Sequence, residues 1–191
     1  MQRIAIVGCS GGGKSTLARA LGKRLDLPVV HMDTLFWLPN WTESDHDEFR
    51  GKVDEAASAE TWVMDGGFIT HSRSRFERAD TVIWIELPIW QCLVRAIWRM
   101  MTHFGRSRAD LAPGCPERFD LAFYRYIWNW DRDSRPRMQA AIEAWAPDAS
   151  LYRLRSDREM GRFVADPLGY PRAPNRRPPQ QALEQNAGSA R

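Results

Sequence analysis

The residues with the clearest chemical meaning lie near the start of the 191-residue chain, in the run Gly8-Cys9-Ser10-Gly11-Gly12-Gly13-Lys14-Ser15. This run fits the pattern G-x-x-x-x-G-K-[ST] at every fixed position. Glycines let the backbone curl tightly, so that successive N–H groups and the positive end of a following helix converge on an anion. The pattern therefore predicts a loop that cradles phosphate groups.

Two side chains at the end of this loop add to the prediction. Lys14 can reach the β- and γ-phosphates as a mobile point charge, and the Ser15 hydroxyl supplies a ligand for Mg²⁺. The expected ligand is a nucleoside triphosphate with magnesium. A glycine-rich turn that binds nothing is the structural alternative.

A strand and a helix must flank such a loop, and the sequence predicts both. Arg3–Val7 is a short, mostly β-branched run, as in a buried parallel strand. After the loop, Leu17, Leu21 and Leu25 recur every four residues, as on one face of a helix. This is the strand, loop and helix context that the motif requires.

Two acidic residues follow predicted strands. Residues 28–32 read as a second strand that ends at Asp33, and residues 60–64 read as a third that ends at Asp65 and Gly66. The carboxyl ends of parallel strands line the ligand crevice of an open α/β sheet. We expect Asp33 to orient an acceptor hydroxyl or to take its proton, with a loop-capping role as the alternative. Asp65 is expected to hold magnesium, and Gly66 to let the chain pass close to a substrate.

Other residues are candidates for contact with an acceptor. The run 35–41 is unusually aromatic for a loop, and its Trp37 fits either a wall of the acceptor pocket or a small separate core. Arg75 is one of three arginines before the fourth predicted strand, and is expected to bind the anionic end of the acceptor. A helix over residues 42–58, capped near Ser44, is predicted to cover this site.

The remaining elements follow in order. A fourth strand is predicted over residues 81–87, and a helix over 89–103 has Arg95 and Arg99 on the side opposite an apolar arc. That arc consists of Trp90, Leu93, Val94, Ile97, Trp98 and Met101. Residues 104–118 contain several glycine and proline residues that interrupt secondary structure, together with two arginines, Arg106 and Arg108. This composition is typical of a mobile lid.

Beyond the lid, Phe119, Phe123, Tyr126, Ile127 and Trp130 repeat at helical spacing, and such an aromatic stripe predicts a core-facing helix. Another helix is expected after Pro136. A fifth strand is predicted over residues 149–154, followed by a short helix that Ser156 and Glu159 would cap.

From residue 167 onward, prolines and polar residues predict a disordered tail. The organisation is thus a domain over residues 1–166 and a tail over 167–191.

Composition limits the classes of function. Hydrophobic residues make up 43 % of the chain and charged residues 27 %, and no apolar run approaches the ~20 residues of a membrane span. A soluble, cytoplasmic protein is expected.

The net charge of +3 is located in the tail. Residues 168–191 hold four arginines against one glutamate, so the rest of the chain is neutral. A nucleic-acid partner is therefore possible but not favoured.

The three cysteines, Cys9, Cys92 and Cys115, have neither the number nor the spacing of a disulfide framework or a zinc site. Cys9 lies in the phosphate loop before a helix N-terminus. This placement predicts that the pKa of its thiol is depressed and that the thiol is reactive.

The order of these motifs resembles the small P-loop kinases that include adenylate, shikimate and gluconate kinases, over residues 1 to about 165. Within that group, the runs 31–37, 39–41, 62–66, 105–108 and 114–119 resemble adenylate-kinase-like proteins known as topology modulation proteins. The resemblance implies a three-layer α/β P-loop NTPase fold with a five-stranded parallel sheet in the order 2-3-1-4-5 and an arginine-rich helical lid. It also implies ATP bound at Gly8, Ser10, Gly11, Gly12, Gly13, Lys14, Ser15 and Thr16, and lid arginines at Arg106 and Arg108.

The acceptor is not identified by motif. Adenylate kinases follow Asp-Gly with Phe-Pro-Arg, whereas this chain has Gly67-Phe68-Ile69-Thr70. Shikimate kinases carry a second aspartate two residues after the first, and the corresponding residue here is Leu35.

The sequence as a whole favours transfer of the γ-phosphoryl group of Mg·ATP to a small acceptor, possibly a nucleotide. The residues expected to take part in the chemistry are Lys14, Asp33, Arg99, Arg106 and Arg108. Asp33, Arg75, Trp37 and Gly66 are expected to contact the acceptor, and Ser15 and Asp65 the metal. The alternative is an ATP-binding regulator that contacts nucleic acid or a protein and hydrolyses ATP slowly.

Overall fold

The computed structural model describes residues 1–71, 73–106 and 112–173. The strands in chain order are β1 (Arg3–Gly8), β2 (Val29–His31), β3 (Trp37–Leu38), β4 (Thr42–Glu43), β5 (Trp62–Asp65), β6 (Thr81–Ile85) and β7 (Ser150–Leu154). Five of them form one parallel sheet in the order β2-β5-β1-β6-β7, while β3 and β4 form a separate antiparallel hairpin.

Helices connect these strands. They are α1 (Lys14–Leu25), α2 (Met32–Phe36), α3 (His46–Ser58), α4 (Arg73–Arg78), α5 (Ile89–His103), α6 (Leu121–Trp128), α7 (Trp130–Asp133), α8 (Arg135–Trp145) and α9 (Asp157–Ala165). The α/β class and the five-stranded parallel sheet are therefore confirmed. Without the hairpin, which the sequence did not predict, the strands of the large sheet follow the expected order 2-3-1-4-5.

The core lies around the central strands of the sheet. Ile4, Ala5, Ile6 and Val7 of β1 are fully buried, because parallel strands in this position have neighbours on both faces. In α1, Leu17, Ala18 and Leu21 are buried, as the four-residue repeat predicted. This packing fixes both ends of the loop that joins β1 to α1.

The register of the sheet brings the predicted site residues to one edge. Gly8 at the end of β1 pairs with Ile85 at the end of β6, and Ile6 pairs with Asp65 at the end of β5. His31 at the end of β2 pairs with the same Asp65. The carboxyl ends of four neighbouring strands, β2, β5, β1 and β6, therefore lie together at the glycine-rich loop.

Three local predictions need correction. The helix expected over residues 42–58 begins at His46, because Asp45 rather than Ser44 accepts the capping hydrogen bonds from the N–H groups of Asp47 and Glu48. The contacts of the domain extend beyond residue 166, since Tyr170 packs against Tyr152 and Phe163. Residues 174–191 lie outside the described part of the chain.

The third correction concerns apolar residues that are exposed. Within α5 only Cys92 and Ala96 are buried, whereas most of the predicted apolar arc faces solvent. Phe119 in the predicted aromatic stripe is also exposed, although Ile127 and Trp130 are buried as expected. No helix within residues 1–71, 73–106 and 112–173 combines the length and apolar character that a bilayer span requires.

Candidate active site

A cavity of about 970 Å³ opens at the carboxyl edge of the sheet. The glycine-rich loop borders it at one end and aromatic side chains border it at the other. Its lining comprises Ser10, Gly11, Gly13, Lys14, Ser15, Thr16, Asp33, Trp37, Trp41, Glu43, Gly67, Phe68, Arg95, Arg99, Glu117, Arg118, Asp120, Phe123 and Tyr126. One space thus holds a candidate phosphate site, a carboxylate and a set of cations.

The glycine-rich loop curls around the carbonyl oxygen of Cys9. That oxygen accepts a hydrogen bond from the Gly12 N–H at 3.1 Å and another from Lys14 Nζ at 3.0 Å. Gly13 has a left-handed backbone, φ 91°, and stands immediately before the first residue of α1. The loop therefore presents the N-terminal end of a 12-residue helix to the cavity.

Glycine is required where the loop crosses the neighbouring elements. A Cβ on Gly11 would lie 2.3 Å from the carbonyl oxygen of Cys92, and φ at Gly11 is +80°. A Cβ on Gly8, where φ is +143°, would lie 2.5 Å from the carbonyl oxygen of Ile85. Because both clashes are with backbone atoms, a larger residue at either position would force the loop to move.

Ser15 and Asp65, predicted separately as metal ligands, are in contact. Ser15 Oγ donates a hydrogen bond to Asp65 Oδ2 at 2.7 Å, and the carboxylate is only 3 % exposed. The other oxygen of Asp65 is hydrogen-bonded to Nδ1 of His31. The structure thus brings together a hydroxyl and a carboxylate, which are the oxygen ligands that Mg²⁺ prefers, and His31 holds the carboxylate in place.

Arginines surround the space above the loop. Arg99 forms an ion pair with Glu117 at 3.0 Å, and Glu117 is 6 % exposed. Arg95 is paired with Asp157, and its Nη1 would lie 3.9 Å from a Cβ placed on Gly13. Acidic partners therefore hold these guanidinium groups beside the loop before any ligand binds.

Aromatic residues form the other end of the cavity. Trp37 and Trp41 meet edge to face with ring centroids 5.5 Å apart, and the Arg118 guanidinium lies 5.8 Å from the centre of the Trp41 ring. Trp37, Trp41 and Phe68 all line the cavity, while Phe36 behind them belongs to a small core with Met32, Phe49 and Val53. The aromatic run therefore contributes both to a small core and to the lining of the cavity, and Trp37 belongs to both because it also packs against that core.

The segment after the undescribed residues 107–111 holds this wall in place. The Asn40 N–H donates to the carbonyl oxygen of Gly114 at 2.8 Å, and Trp41 Nε1 donates to that of Pro116 at 2.7 Å. Cys115 Sγ donates to the carbonyl oxygen of Leu38 at 3.2 Å. Residues 114–116 thus support the hairpin region, whose Trp37, Trp41 and Glu43 line the cavity.

The predicted acceptor residues divide into two groups. Asp33, in the first turn of α2, and Trp37 line the cavity. Gly66 is buried beneath Met32, since a Cβ on it would lie 2.7 Å from the Met32 Cβ, and the cavity is lined by Gly67 instead.

Arg75 does not reach the cavity. Its side chain is fully buried, and Nη1 donates to the sulfur of Met32 at 2.7 Å and to the carbonyl oxygen of Gly66 at 3.2 Å. Burial lowers the pKa of this guanidinium to about 10, while the nearby Asp65 carboxylate acts in the opposite direction. The expectation that Arg75 binds an acceptor is therefore replaced by a structural role behind Asp65.

Of the two predicted lid arginines, the structure describes only Arg106. Arg106 is exposed, does not line the cavity, and contacts its neighbours through its backbone. Arg108 lies outside the described residues. Their role in closing over a transferring phosphoryl group stays a prediction.

The prediction that Cys9 has a depressed thiol pKa is wrong in this structure. A hydrogen bond with Cys92 and burial together raise the pKa of the Cys9 thiol, and they outweigh the opposite effect of Lys14. Cys9 is 3 % exposed and its sulfur faces α5 rather than the cavity lining.

Sequence reasoning missed several residues that line the site. The helical spacing placed Arg95 on the same side of its helix as Arg99, but only Arg99 was given a role. Arg118 and Trp41 lie in the motifs that carry the family resemblance, but no pattern assigned them a position. Tyr126 was interpreted as core, whereas it lines the cavity, and burial of its hydroxyl raises the pKa of that group.

Comparisons with known proteins give one curated relative and a set of similar folds. A scan against protein-family models found no match. The chain is 29 % identical over 176 residues to the uncharacterized protein YqaC of Bacillus subtilis (strain 168), which covers 88 % of this chain and 97 % of that protein. The resemblance to topology modulation proteins therefore stays a prediction.

Solved structures of shikimate kinases share the fold. The enzyme from Acinetobacter baumannii, in complex with shikimate, matches with a TM-score of 0.57 and 16 % identity over 97 % of this chain and 94 % of its own. The enzyme from Bacteroides thetaiotaomicron matches with a TM-score of 0.52 and 17 % identity over 96 % and 98 %. The chain therefore has the P-loop fold of these kinases, and at this level of identity the likeness extends to the fold alone.

Proposed function

We propose that the chain is an ATP-dependent phosphotransferase that moves the γ-phosphoryl group of ATP to a hydroxyl of a small acceptor. The observation that carries this proposal is that a phosphate loop and the carboxylate of Asp33 share one cavity with an aromatic wall. The shared fold with shikimate kinases supports the same reaction class.

The residues around the loop fit Mg·ATP. The backbone N–H groups of Gly11 and of Gly13 to Ser15 would bind the phosphates together with the Lys14 ammonium group, whereas the Gly12 N–H is already bonded to the Cys9 carbonyl oxygen. Thr16 lines the same end of the cavity. Ser15 and Asp65 would hold magnesium, because their oxygens are already 2.7 Å apart. Bound magnesium would neutralise the charge of the β- and γ-phosphates and so favour attack on the terminal phosphorus.

Asp33 is proposed to act on the acceptor. Its carboxylate would accept a hydrogen bond from the acceptor hydroxyl and take the proton as the oxygen bonds to the γ-phosphorus. The bond to the β-phosphate oxygen then breaks, and ADP leaves with that oxygen. Arg99 would stabilise the charge on the transferring group, and Arg95, which lies beside Gly13, would act with it.

The other end of the cavity restricts the acceptor class. Trp37, Trp41 and Phe68 provide apolar ring surfaces, so the acceptor should contain a ring or another flat group beside its hydroxyl. Arg118 lies over the Trp41 ring and could pair with a negative group on the acceptor. Nucleoside monophosphates and cyclic hydroxy acids such as shikimate meet these requirements.

The proposal is tested by product formation. The purified chain is incubated with ATP labelled on the γ-phosphate and a panel of nucleosides, nucleoside monophosphates and cyclic hydroxy acids, and new labelled products are separated by chromatography. One acceptor class should be phosphorylated, and Asp33→Asn should lower that rate by roughly 10² to 10⁴-fold. Asp54→Asn, on the exposed surface of α3, is the matched control and should keep the full rate.

Two results would contradict the proposal. One is ATP binding with no labelled product from any member of the panel. The other is a transfer rate that Asp33→Asn leaves unchanged. Slow hydrolysis of ATP alone, equal in the wild-type and Asp33→Asn proteins, would favour an ATP-binding regulator instead.

A further inference from the structure

One face of α5 is apolar and exposed, while the other face packs on the core and borders the cavity. Five residues of the helix and the residue that follows it carry this exposed surface, with exposed fractions from 43 % for Ile97 to 66 % for Trp98. The six are Trp90, Val94, Ile97, Trp98, Met101 and Phe104. We call this set the α5 stripe.

The α5 stripe has the spacing of a helix–helix seam. Trp90, Val94, Ile97, Met101 and Phe104 follow one another at intervals of four, three, four and three residues. That alternation is the a/d pattern of a helix that packs lengthwise against another helix. Over 14 residues the seam is about 21 Å long.

We infer that the α5 stripe is the contact surface of a homodimer, in which α5 packs antiparallel against α5 of a second copy. The spacing is close to symmetric about Ile97, since Trp90 and Phe104 each lie seven residues from it. A two-fold axis near Ile97 would therefore set Trp90 of one copy against Phe104 of the other. A two-fold contact of this kind uses the same patch on both subunits.

The exposed area is large enough for such a contact. The three aromatic side chains of the stripe, which each bury about 150–250 Å² when covered, are 63–66 % exposed and so supply roughly 300–500 Å² of apolar surface, to which Val94, Ile97 and Met101 add. Stable complexes bury about 800 Å² on each partner. Contiguous apolar patches of this size on soluble monomers usually mark an interaction site.

The charges around the stripe favour a second copy over other partners. Along α5, whose residues are all described, no exposed position carries a lysine, arginine, aspartate or glutamate, and a single exposed cation, Arg106, follows Phe104 within the described residues 104–106. Arg95 and Arg99 of this helix are paired with Asp157 and Glu117 beside the cavity. Two stripes can therefore meet without repulsion, whereas nucleic acids and anionic membranes require exposed cations.

The inference is tested first by the mass of the full chain in solution. Light scattering after size exclusion should give twice the chain mass of 22.0 kDa at micromolar concentration. Ile97→Asp should raise the dissociation constant at least 100-fold, since it buries a carboxylate twice at the axis. Leu168→Asp changes another exposed apolar residue, 77 % exposed, and should leave the dimer intact.

Cross-linking tests the antiparallel arrangement. In Ile97→Cys, the new cysteine should form a disulfide with the same cysteine of the second subunit under mild oxidation, because both lie at the two-fold axis. In Trp90→Cys the two cysteines would be about 21 Å apart and should not cross-link. The three native cysteines are buried, so the wild-type chain gives the background.

Three outcomes would overturn the inference. A wild-type chain that stays monomeric at 100 µM excludes the dimer. So does an Ile97→Asp variant, folded by circular dichroism, that dimerises as tightly as Leu168→Asp. A monomeric chain that sediments with phosphatidylglycerol vesicles, and loses this property in Ile97→Asp, would assign the stripe to a lipid surface.

Discussion

The two ends of the cavity are built from different parts of the chain. At the phosphate end, the contacts are made by backbone: carbonyl oxygens of Ile85 and Cys92 lie against Gly8 and Gly11. At the acceptor end, side chains make the surface, above all Trp37 and Trp41 of the hairpin region. The first end depends on where the strands and helices lie, and the second on which residues they carry.

This difference has a functional consequence. A backbone site can bind phosphate in the same way in many proteins, because the N–H groups do not change when side chains do. An aromatic wall made of side chains can change its shape by single substitutions without moving the sheet. We therefore expect ATP binding to tolerate almost no change at the loop, and acceptor choice to depend on the wall.

The largest effect is expected for Lys14→Ala at the phosphate end. Loss of this cation should lower the turnover number by about 10³-fold, as for other groups that stabilise charge in a transition state. Lys23→Ala, on an exposed position of the same helix, is the control and should keep the wild-type rate. Steady-state phosphotransfer assays give both numbers, and equal rates for the two variants would exclude the role given to Lys14.

Gly11→Ala tests whether the loop is as constrained as its contacts indicate. The new Cβ would meet the Cys92 carbonyl at 2.3 Å in a left-handed backbone, so the free energy of unfolding should fall by about 2–4 kcal/mol. Gly51→Ala lies in α3 with nothing within 4 Å, and should instead stabilise the chain by about 1 kcal/mol. Urea denaturation measures both, and a neutral Gly11→Ala would contradict the close approach.

At the acceptor end, Trp41→Ala should affect one substrate only. Loss of the ring should raise the KM for the acceptor by about 30-fold and leave the KM for ATP within twofold. Trp41→Phe keeps a ring but loses the hydrogen bond to Pro116, so its KM for the acceptor should lie between those of the wild-type and Trp41→Ala proteins. If both KM values rose together, the two ends of the cavity would not be independent.

Asp80 extends the comparison to the opposite edge of the sheet, at the start of β6. Burial raises the pKa of its carboxyl, but hydrogen bonds from Thr81 Oγ1 and the N–H groups of Gln2 and Arg3 outweigh burial and leave the pKa below its usual value. Asp80→Asn should therefore destabilise the chain by about 1 kcal/mol without weakening ATP binding.

The pH dependence of the Asp80 contribution has a definite sign. Because the pKa is lower in the folded state, the contribution is fully present above the unfolded value of about 3.9 and is lost as the pH falls through the folded pKa. Thermal or urea unfolding of both proteins should give a constant difference from pH 5 to 8, which shrinks below pH 4. A difference that grows in acid would contradict this account.

The phosphate end could be predicted from the sequence because its motif specifies the backbone. Gly8 to Ser15, the strand before it and the helix after it are contiguous, so local patterns define them. Asp33 and Asp65 could be placed because each follows an apolar strand, and the ends of parallel strands meet at one edge.

The acceptor end could not be predicted in the same way. Its wall depends on hydrogen bonds between Asn40 and Gly114 and between Trp41 and Pro116, which are more than 70 residues apart and leave no local pattern. Arg75 resembled a ligand-binding arginine, but its burial is decided by the tertiary contacts of Met32 and Gly66. The spacing of the apolar residues places them on one face of α5, yet this spacing does not say whether the sheet or another molecule covers that face.

The central claim is that the β1–α1 loop binds Mg·ATP, and calorimetry tests it most directly. Titration of millimolar Mg·ATP into the wild-type chain should give heat that fits one site per chain, and the same ligand should raise the melting temperature. Titration into Lys14→Ala should give little heat. Absence of both heat and a thermal shift for the folded wild-type protein would contradict the account and remove the roles assigned around the loop.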